Sequence, residues 1–271
     1  MKRGIAIALF AVLTGCADES PDIQPEAPAA SLDLRAAMQT TSDITPVGLA
    51  IAPDGKRFIF EESAGLYRLD GEVAVPVVRM AEMPNPGPTA PITLPFTDLV
   101  ALGPNLFALT AIGDGFLLDT AAMTLQQHFC YLPDGTPVSL IQRTDAMTYD
   151  AVAQKLYAQP VTYDAAGVFQ YSQVAGYERA TGLDVAWYAA AADVAATGMI
   201  VLPDVGLVLG QGSKLTRFDT ATSTSIPVDD LARFGVRSID GLALDAAAGT
   251  LVVVDKQTDT VFDIALTQLT L

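Results

Sequence analysis

Cysteine, histidine and basic side chains are scarce in this chain. Among 271 residues there are two cysteines (Cys16 and Cys130), one histidine (His128) and one tryptophan, and 15 Lys and Arg face 31 Asp and Glu. So few soft ligands exclude the usual zinc sets and haem-attachment motifs. A single imidazole, with no Gly-x-Ser-x-Gly elbow, argues against serine-type hydrolysis, which needs a base held against its nucleophile. No glycine loop followed by Lys-Ser/Thr is present to cradle a phosphate. A formal charge of −16 and a pI near 4.2 make the chain a polyanion, which argues against nucleic acid and bare anionic lipid as partners. The N-terminal apolar run, residues 5–13, falls well short of the ~20 residues that a membrane span needs.

The N-terminus itself is informative. Lys2 and Arg3, the apolar residues after them and small residues at the cut make a secretory signal. Leu13-Thr14-Gly15-Cys16 resembles the lipobox of bacterial lipoproteins. That resemblance implies lipidation of the Cys16 thiol, cleavage just before it, and anchoring in the cell envelope, at the inner or outer membrane, facing periplasm or cell surface. An ordinary signal peptide or a short membrane anchor is the plainer alternative. Loss of Lys2 and Arg3 with the signal takes the formal charge from −16 to −18. With Cys16 lipidated, Cys130 has no partner for an intramolecular disulfide. Flanked by His128, Phe129 and Tyr131 in a strand-like run, it reads as a buried, inert thiol.

Three segments follow from composition: a signal peptide over residues 1–15, a lipidated cysteine with a disordered tether over 16–30, and one large domain over 31–271. The tether is rich in proline and acid and cannot bury enough apolar surface to offset ordering. The remainder is long enough for a sizeable core.

That remainder repeats. Five segments each hold an apolar strand, a tight turn, a second apolar strand, a further turn and a third strand ending near Asp. Their anchors, Leu49, Leu99, Met147, Met199 and Leu242, lie 43 to 52 residues apart. This period matches one four-stranded propeller blade. Fourth strands are expected over residues 74–80, 125–131, 185–189 and 223–228. The last segment has only the remnant 266–271, so residues 31–38 are expected to supply its outer strand and close the ring, protecting an open edge. The predicted class is all-β, a five-bladed propeller with 3+1 closure by an N-terminal strand; a sixth blade within residues 132–196 is the alternative. The proline-rich residues 83–95 read as an interblade loop. Residues 163–174 read as an insertion whose Tyr163, Phe169 and Tyr171 form a candidate binding loop.

Carboxylates are the remaining chemistry. Residues at the start of innermost strands crowd toward one mouth of the central channel. Asp98, Asp145 and Asp240 would therefore converge and suit a hard, calcium-like divalent cation, the one cofactor the sequence suggests. Asp at strand starts is also ordinary turn chemistry, and Pro46 and Thr197 stand at comparable places in two blades.

The run Asp240-Gly241-Leu242-Ala243-Leu244-Asp245, with the turn and apolar strand after it, resembles blades of the NHL and SMP-30/gluconolactonase-like propellers. Ala50-Ile51-Ala52-Pro53-Asp54-Gly55-Lys56 is similar to the first-strand turn shared by many such repeats. The SMP-30 resemblance implies a metal-ligand and catalytic role for Asp240. The chain departs from that family where Thr45-Pro46-Val47-Gly48 replaces an early glutamate in a Gly-Glu-Gly-Pro context. It departs again where Thr144-Asp145-Ala146-Met147 stands in place of an asparagine before Gly-Leu-Ala. The expectation is thus a lipid-anchored, extracytoplasmic propeller acting as a binding or assembly scaffold, with the membrane and an envelope protein or glycan as partners. The alternative is a divalent-cation-dependent, SMP-30-like hydrolase or lactonase using Asp240 with Asp145 and Asp98.

Overall fold

The computed structural model of the chain describes residues 26–28, 30–84, 96–111, 114–130, 140–164, 166–178, 184–191 and 195–271. The expected signal peptide, Cys16 and most of the tether and proline-rich loop lie outside the described residues.

Among the described residues, twenty strands form five four-stranded antiparallel sheets, arranged as the blades of a propeller. Blade 1 is β2 (Pro46–Ile51), β3 (Arg57–Glu61), β4 (Gly65–Asp70) and β5 (Val73–Arg79). Blade 2 is β6 (Phe96–Ala101), β7 (Leu106–Ala111), β8 (Asp114–Asp119) and β9 (Thr124–Cys130). Blade 3 is β10 (Leu140–Asp150), β11 (Lys155–Asp164), β12 (Phe169–Glu178) and β13 (Asp184–Ala191). Blade 4 is β14 (Gly198–Leu202), β15 (Gly206–Gln211), β16 (Lys214–Asp219) and β17 (Thr224–Asp230). Blade 5 is β18 (Gly241–Asp245), β19 (Thr250–Asp255) and β20 (Thr260–Ala265), completed on its outside by β1 (Ala30–Asp33). The ring therefore closes 3+1 through the N-terminal strand, and there are five blades.

Two expectations need correction in detail. The closing strand is four residues long, not eight. At Asp33 the chain turns into the short helix α1 (Leu34–Ala37), because the Asp33 carboxylate accepts the Ala36 N–H at 3.0 Å and Leu-Arg-Ala-Ala favours a helix. The supposed insertion at 163–174 is not a loop. β11 runs on to Asp164 and β12 starts at Phe169, so strands of eight to eleven residues build one tall blade from the stretch that might have held a sixth. Its Val161, Thr162 and Ser172 are buried, so the extra length is ordinary pleated sheet.

The core is divided by seam. Phe58 and Phe60 of blade 1 meet Phe107 and Phe96 of blade 2 edge to face, at centroid distances of 4.8 and 5.2 Å. Leu242 and Val253 of blade 5 pack on Ile200 and Val208 of blade 4, and on their other side Val252 and Val254 pack on Leu49 and Ile59 of blade 1. Each such side chain contributes about 1.5–3 kcal/mol by leaving water. The seams on either side of blade 3 also carry buried polar ties. Thr110 Oγ1 donates to Thr144 O at 3.0 Å, and Gln159 Oε1 accepts the Ala196 N–H at 2.8 Å.

Asp residues organise five of the tight turns. Asp119, Asp150, Asp219, Asp245 and Asp255 each accept backbone N–H groups two or three residues on. The residue four after each, Met123, Gln154, Ser223, Gly249 and Asp259, has φ between 52° and 65°. The repeated strand-end Asp is thus turn chemistry, the carboxylate standing in for a backbone acceptor. Among the described residues, no helix is long and apolar enough to cross a membrane.

Candidate functional site

The innermost strands β2, β6 and β10 each carry a register shift just ahead of the anchor, at Pro46/Gly48, Phe96/Asp98 and Thr144/Met147. Counting two residues back from each anchor gives Val47, Thr97, Asp145, Thr197 and Asp240, one per blade, and all five line a cavity of about 230 Å³ at the channel mouth. Thr45, Glu62, Phe96 and Lys256 complete most of the wall.

Three of the ring's side chains are fixed as follows. Thr97 Oγ1 donates to Thr144 O of blade 3, and Thr197 Oγ1 donates to Ile239 O of blade 5, so the same position ties its blade to the next in two places. Asp240 Oδ1 lies 2.9 Å from Lys256 Nζ, and its Oδ2 accepts the Lys256 N–H at 3.3 Å. The Asp240 side chain is 5 % exposed, whereas that of Lys256 is 48 % exposed and remains reachable from the mouth. Asp145, 8 % exposed, and Glu62 add two further carboxylates to the wall.

Asp98 is not part of this ring. It sits one residue later, and because side chains alternate along a strand, that step sends it to the opposite face. There it is 3 % exposed, accepting the Leu99 N–H at 2.7 Å and, across the seam, the Met147 N–H of blade 3. Burial pushes the Asp98 carboxyl well above the usual carboxylate range and the Asp145 charge adds to this, against the pull of the two N–H donors. At the equivalent places blades 1, 4 and 5 have glycine. A Cβ on Gly48 would stand 2.5 Å from Leu99 N, and one on Gly241 would stand 2.9 Å from Leu49 N.

The structure therefore brings Asp145 and Asp240 to one cavity and puts Asp98 behind the wall. Among the described residues, no three His, Cys, Asp or Glu side chains form a metal-holding group. Sequence reading missed Glu62 and Lys256, which follow the second strands of blades 1 and 5. It also missed Thr97, which a count of two back from Leu99 would have found.

Tyr163 and Phe169 face each other across the β11–β12 hairpin, with ring centroids 6.4 Å apart at 78°. Beside them Tyr171 is 46 % and Val168 57 % exposed. β10 begins seven residues before its anchor and the other innermost strands at most three, so this extension stands at the channel-mouth end of blade 3.

No described protein family and no curated protein matches the sequence. Among solved structures, the chain is similar to a luciferin-regenerating enzyme at 11 % identity and a TM-score of 0.54, covering 89 % of this chain and 77 % of that one. A chain of a mitotic checkpoint complex aligns over 97 % of this chain and 98 % of its own, at 11 % identity and a TM-score of 0.43. At such identities the likeness to the first is one of fold, and the fold it supports is the β-propeller.

Proposed function

We propose that this protein is a lipid-anchored, extracytoplasmic β-propeller that works as a binding or assembly module. The anchor reading rests on Leu13-Thr14-Gly15-Cys16. The module reading rests chiefly on how the mouth spends its functional groups. The Asp240 carboxylate is held by Lys256, and the Thr97 and Thr197 hydroxyls are tied to carbonyls of neighbouring blades. These groups brace a rigid disc, and the extended hairpin of blade 3 offers Val168 and Tyr171 to solvent beside the mouth. Two measurements test the proposal. Mass spectrometry of the membrane-extracted chain is expected to find an acylated Cys16, and Cys16→Ala is expected to release the protein. Cross-linking in intact envelopes is expected to capture a protein or glycan partner that a Tyr163/Phe169/Tyr171 triple alanine variant loses; unchanged capture would remove the hairpin from the proposal.

A second reading, a divalent-cation-dependent hydrolase or lactonase, is favoured by one observation: Asp145 and Asp240 share a cavity large enough for a small substrate. Thermal shifts with calcium, magnesium, manganese and zinc decide it. A rise in melting temperature that disappears in Asp240→Asn would favour the enzyme, since a ligand of the native state alone must stabilise it. The same rise in both proteins would remove Asp240 from any such site.

A further inference from the structure

Residues 26 and 27 of the N-terminal arm are fastened to the rim of the disc. Glu26 Oε2 lies 3.4 Å from Arg233 Nε, and Gln268 Nε2 donates to Ala27 O at 3.4 Å. Arg233, in the link between blades 4 and 5, also grips Asp229 near the end of β17 and donates to Gln268 O, while Thr270 N donates to the Asp229 carboxylate at 2.9 Å. The arm and the last residues of the chain are thus stitched together at the blade 4–blade 5 seam. This rim is set apart by its apolar side chains. Among the described residues seven large ones are well exposed; Val73, Met123 and Val152 stand singly in blades 1, 2 and 3, and Val168 and Tyr171 belong to the blade 3 hairpin. The other two, Ile226 of β17 at 48 % and Leu271 at 49 %, are both here, next in the chain to exposed Pro227 and half-buried Val228 and Leu269. Charge sets it apart as well. Residues 214–237 carry Lys214, Arg217, Arg233 and Arg237 against Asp219, Asp229 and Asp230, a formal +1 in a chain of −16, and residues 264–271 carry no charged side chain.

We propose that this rim, from β17 to the last residues, rests on the lipid bilayer, so that the disc stands on edge. An arm fastened at Glu26 leaves ten residues back to Cys16, at most about 35 Å of extended chain. A lipid on that cysteine therefore keeps the seam near the headgroups, and the side chains there suit an interface. Ile226 and Leu271 offer apolar surface to the acyl boundary, and Arg217, opposite Ile226 in the β16–β17 register, keeps a cation at headgroup level. The rim's own carboxylates are engaged, Glu26 and Asp229 by Arg233 and Asp230 by Ser213. The more acidic remainder, which anionic headgroups repel, is turned away from the bilayer. In a ring of five the seam between blades 4 and 5 lies opposite blade 2, so the channel mouth and the blade 3 hairpin stay open to the aqueous side. The inference rests on the anchor reading above.

The whole membrane-extracted chain, reconstituted into phosphatidylcholine vesicles with and without bromine on the acyl chains, reads the contact through tryptophan quenching. Trp187, the one native tryptophan, supplies the background. Ile226→Trp is expected to lose about twofold or more of its added emission to bromine, as an interfacial side chain does, while Val152→Trp, on a turn of blade 3, keeps its own. Hydrogen exchange of the unsubstituted chain needs no variant to fold. Residues 224–230 and 266–271 are expected to exchange more slowly on vesicles than in the soluble Cys16→Ala chain, and residues 120–123 of blade 2 at the same rate in both. A chain that floats with the vesicles but shows neither quenching at position 226 nor slowed exchange overturns the edge-on contact and leaves the anchor standing. Equal quenching at positions 226 and 152 overturns it too, because no one rim is then preferred. Slowed exchange in intact envelopes that is absent on vesicles assigns the rim to a protein and overturns the lipid contact. A chain that does not float overturns the anchor reading and this inference with it.

Discussion

Arg57 of blade 1 grips Asp263 of blade 5 with one guanidinium nitrogen, Nη1, at 2.8 and 2.9 Å from the two carboxylate oxygens, while its Nη2 reaches Asp245 of the same blade at 3.0 Å. The three side chains are 16–24 % exposed and cross the seam where the ring closes. Cutting the guanidinium off while keeping its stem, as in Arg57→Met, leaves two carboxylates partly buried without their cation. The expected loss is about 2–3 kcal/mol by urea unfolding at neutral pH. Burial raises the Asp245 carboxyl, but the Ala248 N–H and Arg57 together hold it below its ordinary value. A lowered carboxyl stabilises the fold above its unfolded pKa of about 4 and loses that contribution as pH falls through the folded value. The wild type is therefore expected to lose more stability than Arg57→Met between pH 7 and pH 3.

Asp98 behaves in the opposite sense. Its carboxyl is raised, chiefly by burial, so ionising it in the folded state costs stability as pH climbs from about 4 through the folded value. Asn cannot ionise, and its amide oxygen can still accept an N–H. Asp98→Asn is expected to gain on the wild type as pH rises above about 4 and to stop gaining once pH passes the folded value, as read from urea midpoints. A gap that is constant with pH would show that the group titrates normally. Asp98→Ala leaves the Met147 N–H without its acceptor and is expected to cost about 1–3 kcal/mol at either pH.

Met123, Gln154 and Ser223 occupy left-handed backbone positions in turns equivalent to that of Gly249. A side chain there clashes with its own carbonyl, at about 1 kcal/mol, while glycine loses more entropy on folding. Met123→Gly, Gln154→Gly and Ser223→Gly are each expected to be stabilising, by up to about 1 kcal/mol, with additive rises in melting temperature because the turns are in different blades. Gly249→Ala is expected to lower it by a similar amount.

Gly48 illustrates a different need. Its φ is unremarkable, but a Cβ would meet Leu99 N at 2.5 Å and Leu99 Cβ at 2.8 Å, in the backbone of the next blade and the first side-chain carbon on it. Gly48→Ala is expected to cost about 3 kcal/mol or more, or to prevent folding, because neither atom can move without shifting an innermost strand. Gly55→Ala, strained at φ 81° but with nothing within 4 Å, is expected to cost only about 1 kcal/mol. Denaturation midpoints of the pair separate collision from backbone strain.

Much of the ring was legible in the sequence, because blade strands are local. Leu49, Leu99, Met147, Met199 and Leu242 mark innermost strands, and hairpin turns between apolar runs set the next two strands of each blade without long-range information. Ring closure was legible for the same reason: the fifth segment lacks an outer strand and the N-terminal residues had one to spare. The long hairpin of blade 3 was misread as a loop because Asp164 and Gly167, which make its turn, interrupt the apolar pattern, and only pairing with β10 and β12 shows that sheet continues on either side.

The site depended on register, which alternation makes unforgiving. Residue types alone nominated three aspartates, and Asp145 and Asp240 do share the mouth. Whether a given aspartate faces the channel or the neighbouring blade is decided by one residue's displacement past a register shift, as at Phe96/Asp98, and the shift depends on pairing with another strand. Likewise Lys256 follows β19 in sequence, and the antiparallel register of β18 with β19, which sets Gly241 opposite Val254, makes it the counter-ion that Asp240 meets at the wall. The repeat, the blade and the closing strand follow from hydrophobic alternation and turn chemistry, which act over a few residues and can be read along the chain. Which side chains meet across the seams was left to packing between blades, because those contacts join residues 34 to 206 positions apart along the chain, and neither periodicity nor propensity carries information over such distances.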